Sequence, residues 1–148
     1  MARKMEIEFE KGGKIVAELF NEEAPETCNY VWERLPFTLP ARRSVMSGGF
    51  IGVNLYDWTF NKLEYANTTI PAGEIGFLSR WIPHTPENKP YCQILISMGS
   101  GNQVHQMWGI ASPTNRFAKI IEGLDLVRVI GTRLAEQGTE NVTYRRKE

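Results

Sequence analysis

The sequence predicts a mainly β protein with two α-helices. Three observations predict this class: apolar and polar residues alternate near both ends of the chain, two stretches carry apolar residues every three or four positions, and one continuous apolar run lies in the second half. Alternation is typical of strands with one buried face, and the longer spacing is typical of amphipathic helices. At 148 residues the chain has the length for one substantial core, so a single domain over 1–148 is expected.

The first two strands form a predicted hairpin. Apolar residues alternate with glutamates over 5–10, which places the apolar side chains on one face of a strand. The pair Gly12-Gly13 then supplies a turn, because glycine adopts positive φ angles at little steric cost. The return strand is predicted over 14–20.

A helix is predicted to begin near Pro25, because a proline in the first turn removes only an N–H that has no partner inside the helix. Pro36 is expected to end it, since proline cannot continue a helix. The apolar stripe on this helix comprises Cys28, Val31, Trp32 and Leu35.

Three further strands are predicted in the middle of the chain, over 50–55, 74–78 and 91–98. The last of them is the continuous apolar run, which indicates burial on both faces or a barrel wall. An aromatic-rich segment over 56–66 is either a hairpin or a loop. A loop is predicted over 82–90, because three prolines interrupt it.

A long polar connection is predicted over 100–115. Loops of this length are uncommon in a compact domain unless they serve a function, so this segment is a candidate for part of a site. A strand over 117–121 and a helix over 124–137 follow. Within that helix Gly131 costs about 1 kcal/mol relative to alanine, and Gly138 is expected to close it in a left-handed conformation. A final strand contains Val142 and Tyr144.

Charge and composition argue against several classes of partner. Seventeen basic and seventeen acidic residues cancel, so neither nucleic acid nor an anionic membrane is expected as a partner. No apolar run approaches the roughly 20 residues that span a bilayer, and the first residues lack a hydrophobic leader, so a cytoplasmic location is expected. Cys28 and Cys92 are predicted to pack in the core. Because His84 and His105 are the only histidines and no CxxC or HExxH motif is present, neither a metal site nor a cofactor is expected.

Two separated segments resemble cyclophilins. The stretch GKIVAELFNEEAPETCNYVWERLPF over 13–37 resembles the opening of that family, where a strand ending Glu-Leu-Phe leads into an Ala-Pro-x-Thr helix start. The stretch FAKIIEGLDLV over 117–127 is similar to its late Phe-Gly-Lys-Val-x-Glu-Gly-Met-Asp-Val-Val segment. Together with 73–77 and the strand around Leu95, they resemble a bacterial family of small cyclophilin-like proteins of unknown function. This resemblance implies a closed β-barrel of about eight strands capped by two α-helices.

The resemblance also suggests candidate site residues. An active cyclophilin has an arginine on the strand after the first helix, a Phe-Met-x-Gln-Gly-Gly-Asp-Phe motif, a Gln-Phe-Phe strand, a tryptophan and a histidine. Arg43, Gln93 and Trp108 match the arginine, the glutamine and the tryptophan. The chain departs from the family where His105 precedes the tryptophan, and where Ser-Gly-Gly-Phe over 47–50 replaces most of the glycine motif. Aliphatic residues also replace both aromatics of the Gln-Phe-Phe strand.

These residues lead to a first hypothesis, a site for a small carboxylate- or amide-containing ligand or a peptide at one mouth of the barrel. Its predicted lining is Arg43, Gln93, His105 and Trp108, with help from the loop that carries Trp81 and His84. An arginine there would pair with a carboxylate, and a tryptophan would supply a flat apolar wall. Whether the site is catalytic stays open, with His105 as the obvious acid or base near neutral pH.

Three alternatives stay open beside this hypothesis. Peptidyl-prolyl isomerisation is one, although the missing glycine motif and the lost aromatics count against it. A non-catalytic interaction module or homo-oligomer subunit is another, suggested by the aromatics of 56–66. The third assigns Arg43 to the surface, Trp108 to the core and His105 to a satisfied loop position.

Overall fold

A computed structural model describes residues 2–44, 49–81, 90–99, 102–103 and 112–148. Over these residues the chain forms strands and helices with the following bounds. The strands are β1 (Lys4–Phe9), β2 (Lys14–Leu19), β3 (Phe37–Arg43), β4 (Phe50–Leu55), β5 (Ala66–Asn67), β6 (Thr69–Ile70), β7 (Glu74–Trp81), β8 (Pro90–Ser97), β9 (Asn102–Gln103), β10 (Thr114–Glu122) and β11 (Glu140–Lys147), and the helices are α1 (Pro25–Glu33) and α2 (Leu126–Gln137).

Eight of the strands close into an antiparallel barrel. Their order around the ring is β2, β1, β11, β3, β4, β8, β7 and β10, and β10 pairs again with β2 to complete the circle. The short β5 pairs with the start of β10, and β6 pairs with β9 as a separate two-stranded sheet. The predicted closed barrel of eight strands with two helices is therefore confirmed.

Strand alternation separates an inner from an outer face of the barrel wall. The predicted hairpin forms with Gly12 and Gly13 at φ angles of 114° and 110°, and the apolar residues of β1 are fully buried inside. The apolar run in β8 is buried on both faces, as predicted: Cys92, Ile94 and Ile96 join the main core, whereas Leu95 points outward. The outer cluster comprises Phe50, Ile70, Leu78 and Leu95.

Helix α1 begins at Pro25, as predicted, and is capped from a distance. Ala24 precedes it and supplies no side-chain cap. Glu64 takes that role: its carboxylate accepts hydrogen bonds from the backbone N–H of Thr27 at 2.6 Å, from the Thr27 hydroxyl at 2.7 Å and from the N–H of Glu26 at 3.2 Å. A carboxylate at this end satisfies N–H groups that lack helical partners and also lies at the positive end of the helix dipole.

The aromatic segment over 56–66 is a loop that delivers this cap. Trp58 and Phe60 pack against the core and against Tyr30 of α1, with ring centroids 5.6 and 5.0 Å away. The backbone N–H of Glu64 donates to Asn115 Oδ1 at 2.9 Å, which ties the loop to β10. The loop therefore links the helix to the barrel wall.

Strand β3 was missed, and β8, β10 and α2 begin at residues other than those predicted. β3 was not predicted, because Pro40 interrupts its sequence; the proline is accommodated because on the β4 side only the last two residues of β3 are paired. β8 begins at Pro90, where a strand tolerates proline as its first residue. β10 begins at Thr114, inside the predicted connection, and α2 begins at Leu126, so Leu124 lies before it and is exposed.

A buried ion pair joins α2 to β11 and to the first hairpin. Arg133 Nε and Nη2 donate to the two carboxylate oxygens of Glu140 at 2.6 and 2.8 Å, and the Lys11 N–H donates to the same carboxylate at 2.9 Å. Burial raises the pKa of Glu140, but the hydrogen bonds from Arg133 and Lys11 lower it by more, so the net pKa lies below the ordinary value. The ionised form is therefore the one that stabilises the fold.

Among the described residues, no helix has the length and apolar character that a membrane span requires.

Glu64→Gln is expected to lower the free energy of unfolding by about 1 kcal/mol, because the amide keeps one acceptor but loses the charge that caps α1. Urea denaturation followed by circular dichroism measures the change. Glu22→Gln, an exposed glutamate before the same helix, is the matched control and is expected to have little effect. Equal stability of the Glu64 variant and the wild type would contradict the remote cap.

Glu140→Gln is expected to destabilise the protein by about 3 kcal/mol at pH 7, because it leaves Arg133 without its buried charge partner. The pKa of Glu140 is lowered by folding, so its contribution is present above the unfolded-state value of about 4.3 and is lost as the pH falls through the lower folded value. Unfolding measured from pH 7 to pH 3 should therefore show that the difference in unfolding free energy between the variant and the wild type becomes smaller at acid pH. The exposed Glu136→Gln is the control. A difference in stability between Glu140→Gln and the wild type that does not change with pH would contradict this role of the ionised carboxylate.

Candidate functional site

Arg43 lies at the end of β3 and faces helix α2. It pairs with Ile51 across the strands, so both side chains lie on the inner face, which α2 covers at this mouth of the barrel. Its Nη1 donates to the carbonyl oxygen of Gly131 at 3.4 Å, and the side chain is half-buried. The side chain thus lies between the strand end and the middle of α2.

A groove of about 270 Å³ opens beside Arg43. It forms where the ends of β3, β4 and β8 meet α2, and the Met98 N–H donates to the Gly49 carbonyl at 2.8 Å to hold its strand side together. Arg128 and Thr132 lie one turn apart on α2 and complete the helix side. The described residues that line the groove are Arg43, Gly49, Met98, Gly99, Arg128 and Thr132.

Gly131 allows α2 to come close to this mouth. A Cβ built on Gly131 would lie 2.6 Å from Met98 Sδ and closer still to its methyl group. The glycine costs the helix about 1 kcal/mol in propensity, and in return Met98 packs directly on the helix backbone. Met98 therefore forms an apolar wall of the groove.

Gln93 lies on the other face of the barrel wall. Its neighbours across the strands are Asn54 on β4 and Leu78 on β7, and it is 7% exposed. Gln93 Nε2 donates to Asn54 Oδ1 at 2.6 Å, and Asn54 Nδ2 donates to the Tyr56 hydroxyl at 2.9 Å. The structure therefore does not bring Gln93 and Arg43 together, although both were predicted at one mouth.

His105 and Trp108 lie outside the described residues, as do His84 and the side chain of Trp81. Their part in the site stays a prediction. Sequence reasoning missed Arg128 and Thr132, because only the docking of α2 at the barrel mouth brings them beside Arg43.

The two cysteines are core residues, as predicted. Both are buried free thiols, and their Sγ atoms donate to backbone carbonyls, that of Cys28 to Phe117 at 3.3 Å and that of Cys92 to Trp58 at 3.3 Å. Burial raises the pKa of Cys28 to about 12 and also raises the pKa of Cys92. A thiolate nucleophile at neutral pH is therefore disfavoured at both positions.

Within the described ranges, no three His, Cys, Asp or Glu side chains come together as a group that could hold a metal ion. The described lining of the groove instead carries two guanidinium groups and one hydroxyl beside a thioether.

Comparison with known proteins assigns the family. A model of the family described as "Protein of unknown function (DUF3830)" matches residues 7–145. The chain belongs to the DUF3830 family. The prediction of a cyclophilin-like family of unknown function is thereby confirmed, together with the structural relatives below, whereas a bacterial source stays a prediction. No curated protein matches the chain significantly.

Three solved structures show the same barrel. McbB in complex with tryptophan gives a TM-score of 0.71 at 20% identity, over 97% of this chain and 44% of McbB, so the DUF3830 chain spans less than half of that protein. The hypothetical protein AF2241 from Archaeoglobus fulgidus gives 0.59 at 23% identity, over 99% and 95% of the two chains. A Mimivirus cyclophilin gives 0.56 at 9% identity, over 97% and 86%. The fold is a cyclophilin-like barrel, and at these identities the likeness speaks for the fold alone.

Gly131→Ala is expected not to yield the gain of about 1 kcal/mol that helix propensity alone predicts, because the new methyl group would displace Met98. In a Met98→Ala background the same substitution should be more stabilising by about 1 kcal/mol, since the conflict has been removed. Urea unfolding of the four proteins of this double-mutant cycle measures the coupling. Equal effects of Gly131→Ala in both backgrounds would show that the two residues do not interfere.

Proposed function

We propose that this protein binds a small carboxylate-containing ligand in the groove between the barrel mouth and α2. The observation that carries the proposal is the placement of Arg43 and Arg128 on the walls of one groove. A guanidinium matches a carboxylate with two parallel N–H···O bonds, and none of the described lining residues is acidic. The groove therefore favours an anionic group over a cationic one.

The rest of the lining suits a small molecule with an apolar part. Met98 supplies an adaptable apolar wall, and the Thr132 hydroxyl can donate or accept one hydrogen bond. Gly49 and Gly99 carry no side chain, so a ligand can approach the strand ends closely. The described lining thus offers two charged groups, one hydroxyl and one apolar side chain.

The proposed lining of the groove differs from the predicted one. Arg43 keeps its role, Arg128 and Thr132 are added, and Gln93 is left out because it faces the opposite side of the wall. McbB, which shares the fold, was solved in complex with tryptophan, itself a carboxylate. The proposal rests on the groove of this chain and not on that complex.

The two alternative functions have less support on the described residues. For an isomerase, the arginine after the first helix and the strand glutamine would have to act together, yet Arg43 and Gln93 face opposite sides of the wall. For an interaction module, Tyr56 and Tyr65 are 67% and 42% exposed, whereas Trp58 and Phe60 pack against the core. Core packing thus explains two of the four aromatic residues in this segment.

The proposal also covers the class of partner and the location of the protein. The balance of seventeen basic and seventeen acidic residues favours a small molecule or peptide over nucleic acid or an anionic membrane. A cytoplasmic location, with or without homo-oligomer formation, is consistent with that partner class.

Arg43→Gln is expected to weaken binding of succinamate, which carries one carboxylate and one amide, by about tenfold or more, because a charged hydrogen bond of this kind contributes about 1.5–3 kcal/mol. Titration followed by amide NMR shifts measures the affinity and locates the site through Gly49, Gly99 and Thr132. Arg42→Gln is the matched control: it removes the same charge one residue away, on the opposite face of β3. Equal losses in the two variants, or shifts elsewhere, would refute the site.

A further inference from the structure

Arg43 and Arg128 place two guanidinium groups on the described lining of the groove. Arg128 is exposed on α2, and in the described part of the chain no acidic group lies within ion-pair distance of it. The other arginines whose ion pairs the structure describes, Arg116, Arg133 and Arg145, are engaged with glutamates at 2.6–3.0 Å. Arg128 differs from them in lining the groove, where no acidic residue is described.

The two arginines come from different elements, which matters for the shape of the ligand. Arg43 ends a strand and its guanidinium contacts the Gly131 carbonyl on the helix, whereas Arg128 begins the turn of α2 that leads to Gly131 and Thr132. Each guanidinium has a planar fork of N–H donors that fits one carboxylate. Two forks on separate elements can therefore each take one carboxylate.

Repulsion between the two guanidinium groups also favours a ligand with two carboxylates. Two like charges that line one cavity raise each other's free energy, by an amount that falls with solvent screening. A ligand with one carboxylate can face only one of them and places its uncharged end beside the other. A ligand with two carboxylates can place one beside each guanidinium, and a short aliphatic link between them can lie on Met98.

We propose that the groove is selective for a short dicarboxylate, with one carboxylate on Arg43 and the other on Arg128. This inference rests on the proposed function, since it specifies the ligand class of the same groove. It assigns Arg43 to carboxylate binding as such and Arg128 to discrimination between a dicarboxylate and its half-amide. Thr132, one turn from Arg128 on the same face of α2, can donate its hydroxyl to the second carboxylate.

Succinate and succinamate are the probes that test this inference, because they have the same length and differ in one charged group. Wild-type protein is expected to bind succinate at least tenfold more tightly than succinamate, as measured by NMR titration at pH 7.5. In Arg128→Gln the affinity for succinate should fall to about that for succinamate, while the affinity for succinamate changes by less than twofold. Higher salt should weaken succinate more than succinamate, because more charge is involved.

Two matched variants exclude a general effect of charge. Lys119→Gln removes an exposed positive charge from β10, away from the groove lining, and Arg42→Gln removes one from the opposite face of β3; both should keep the preference for succinate. Because Arg128 is exposed, Arg128→Gln should fold normally, which the amide spectrum of each variant checks directly.

The outcomes separate the two proposals. Equal affinities of the wild type for the two probes, or an equal loss of both in Arg128→Gln, would overturn dicarboxylate selectivity and leave carboxylate binding at Arg43 standing. Failure of both probes to perturb the groove would overturn both proposals. A preference for succinate that Arg128→Gln abolishes and the control variants keep would support the inference.

Discussion

The pairing of β10 with β2 is the constraint on which the rest of the structure depends. It turns an open sheet into a ring and removes the edges that β2 and β10 would otherwise expose. β10 also pairs with β7 and β5, and the Phe117 carbonyl accepts hydrogen bonds from the Phe20 N–H and the Cys28 thiol. One strand therefore closes the barrel and positions the start of α1.

The two helices are held by groups that come from distant parts of the chain. Glu64 caps α1 from a loop, and Glu140 binds Arg133 of α2 from the last strand. Neither helix carries its own side-chain cap. The first turn of α1 depends on Glu64 for hydrogen bonds, and the orientation of α2 depends in part on the Arg133–Glu140 ion pair with the last strand. This dependence matters for the groove, because α2 supplies one of its two walls.

Local patterns predicted the elements whose stability is local. The first hairpin, α1 and the buried β8 follow from alternation, helical spacing and proline positions, and Gly138 closes α2 with a φ of 89°. β3 was missed because a proline argues against a strand in the sequence. Pro40 is tolerated because it has no partner on β4, and this depends on how the barrel is assembled. Of the residues that line the groove, Arg43 could be found from its place after the first helix. Arg128 and Thr132 join it only through the docking of α2, which no short-range pattern records.

The two neighbouring arginines of β3 lie on opposite faces of the barrel wall. Arg42 and Arg43 differ by one position, yet the two-residue period of a strand directs one outward and the other to the groove. Their sorting depends on the register of β3, which is set by five residue pairs with β11 but only two with β4. A slip of one residue would exchange the two charges without altering composition or net charge. A positive charge faces the groove only when β3 is correctly aligned with β11, some hundred residues away in sequence. The charge on the groove therefore depends on this register as well as on the presence of an arginine.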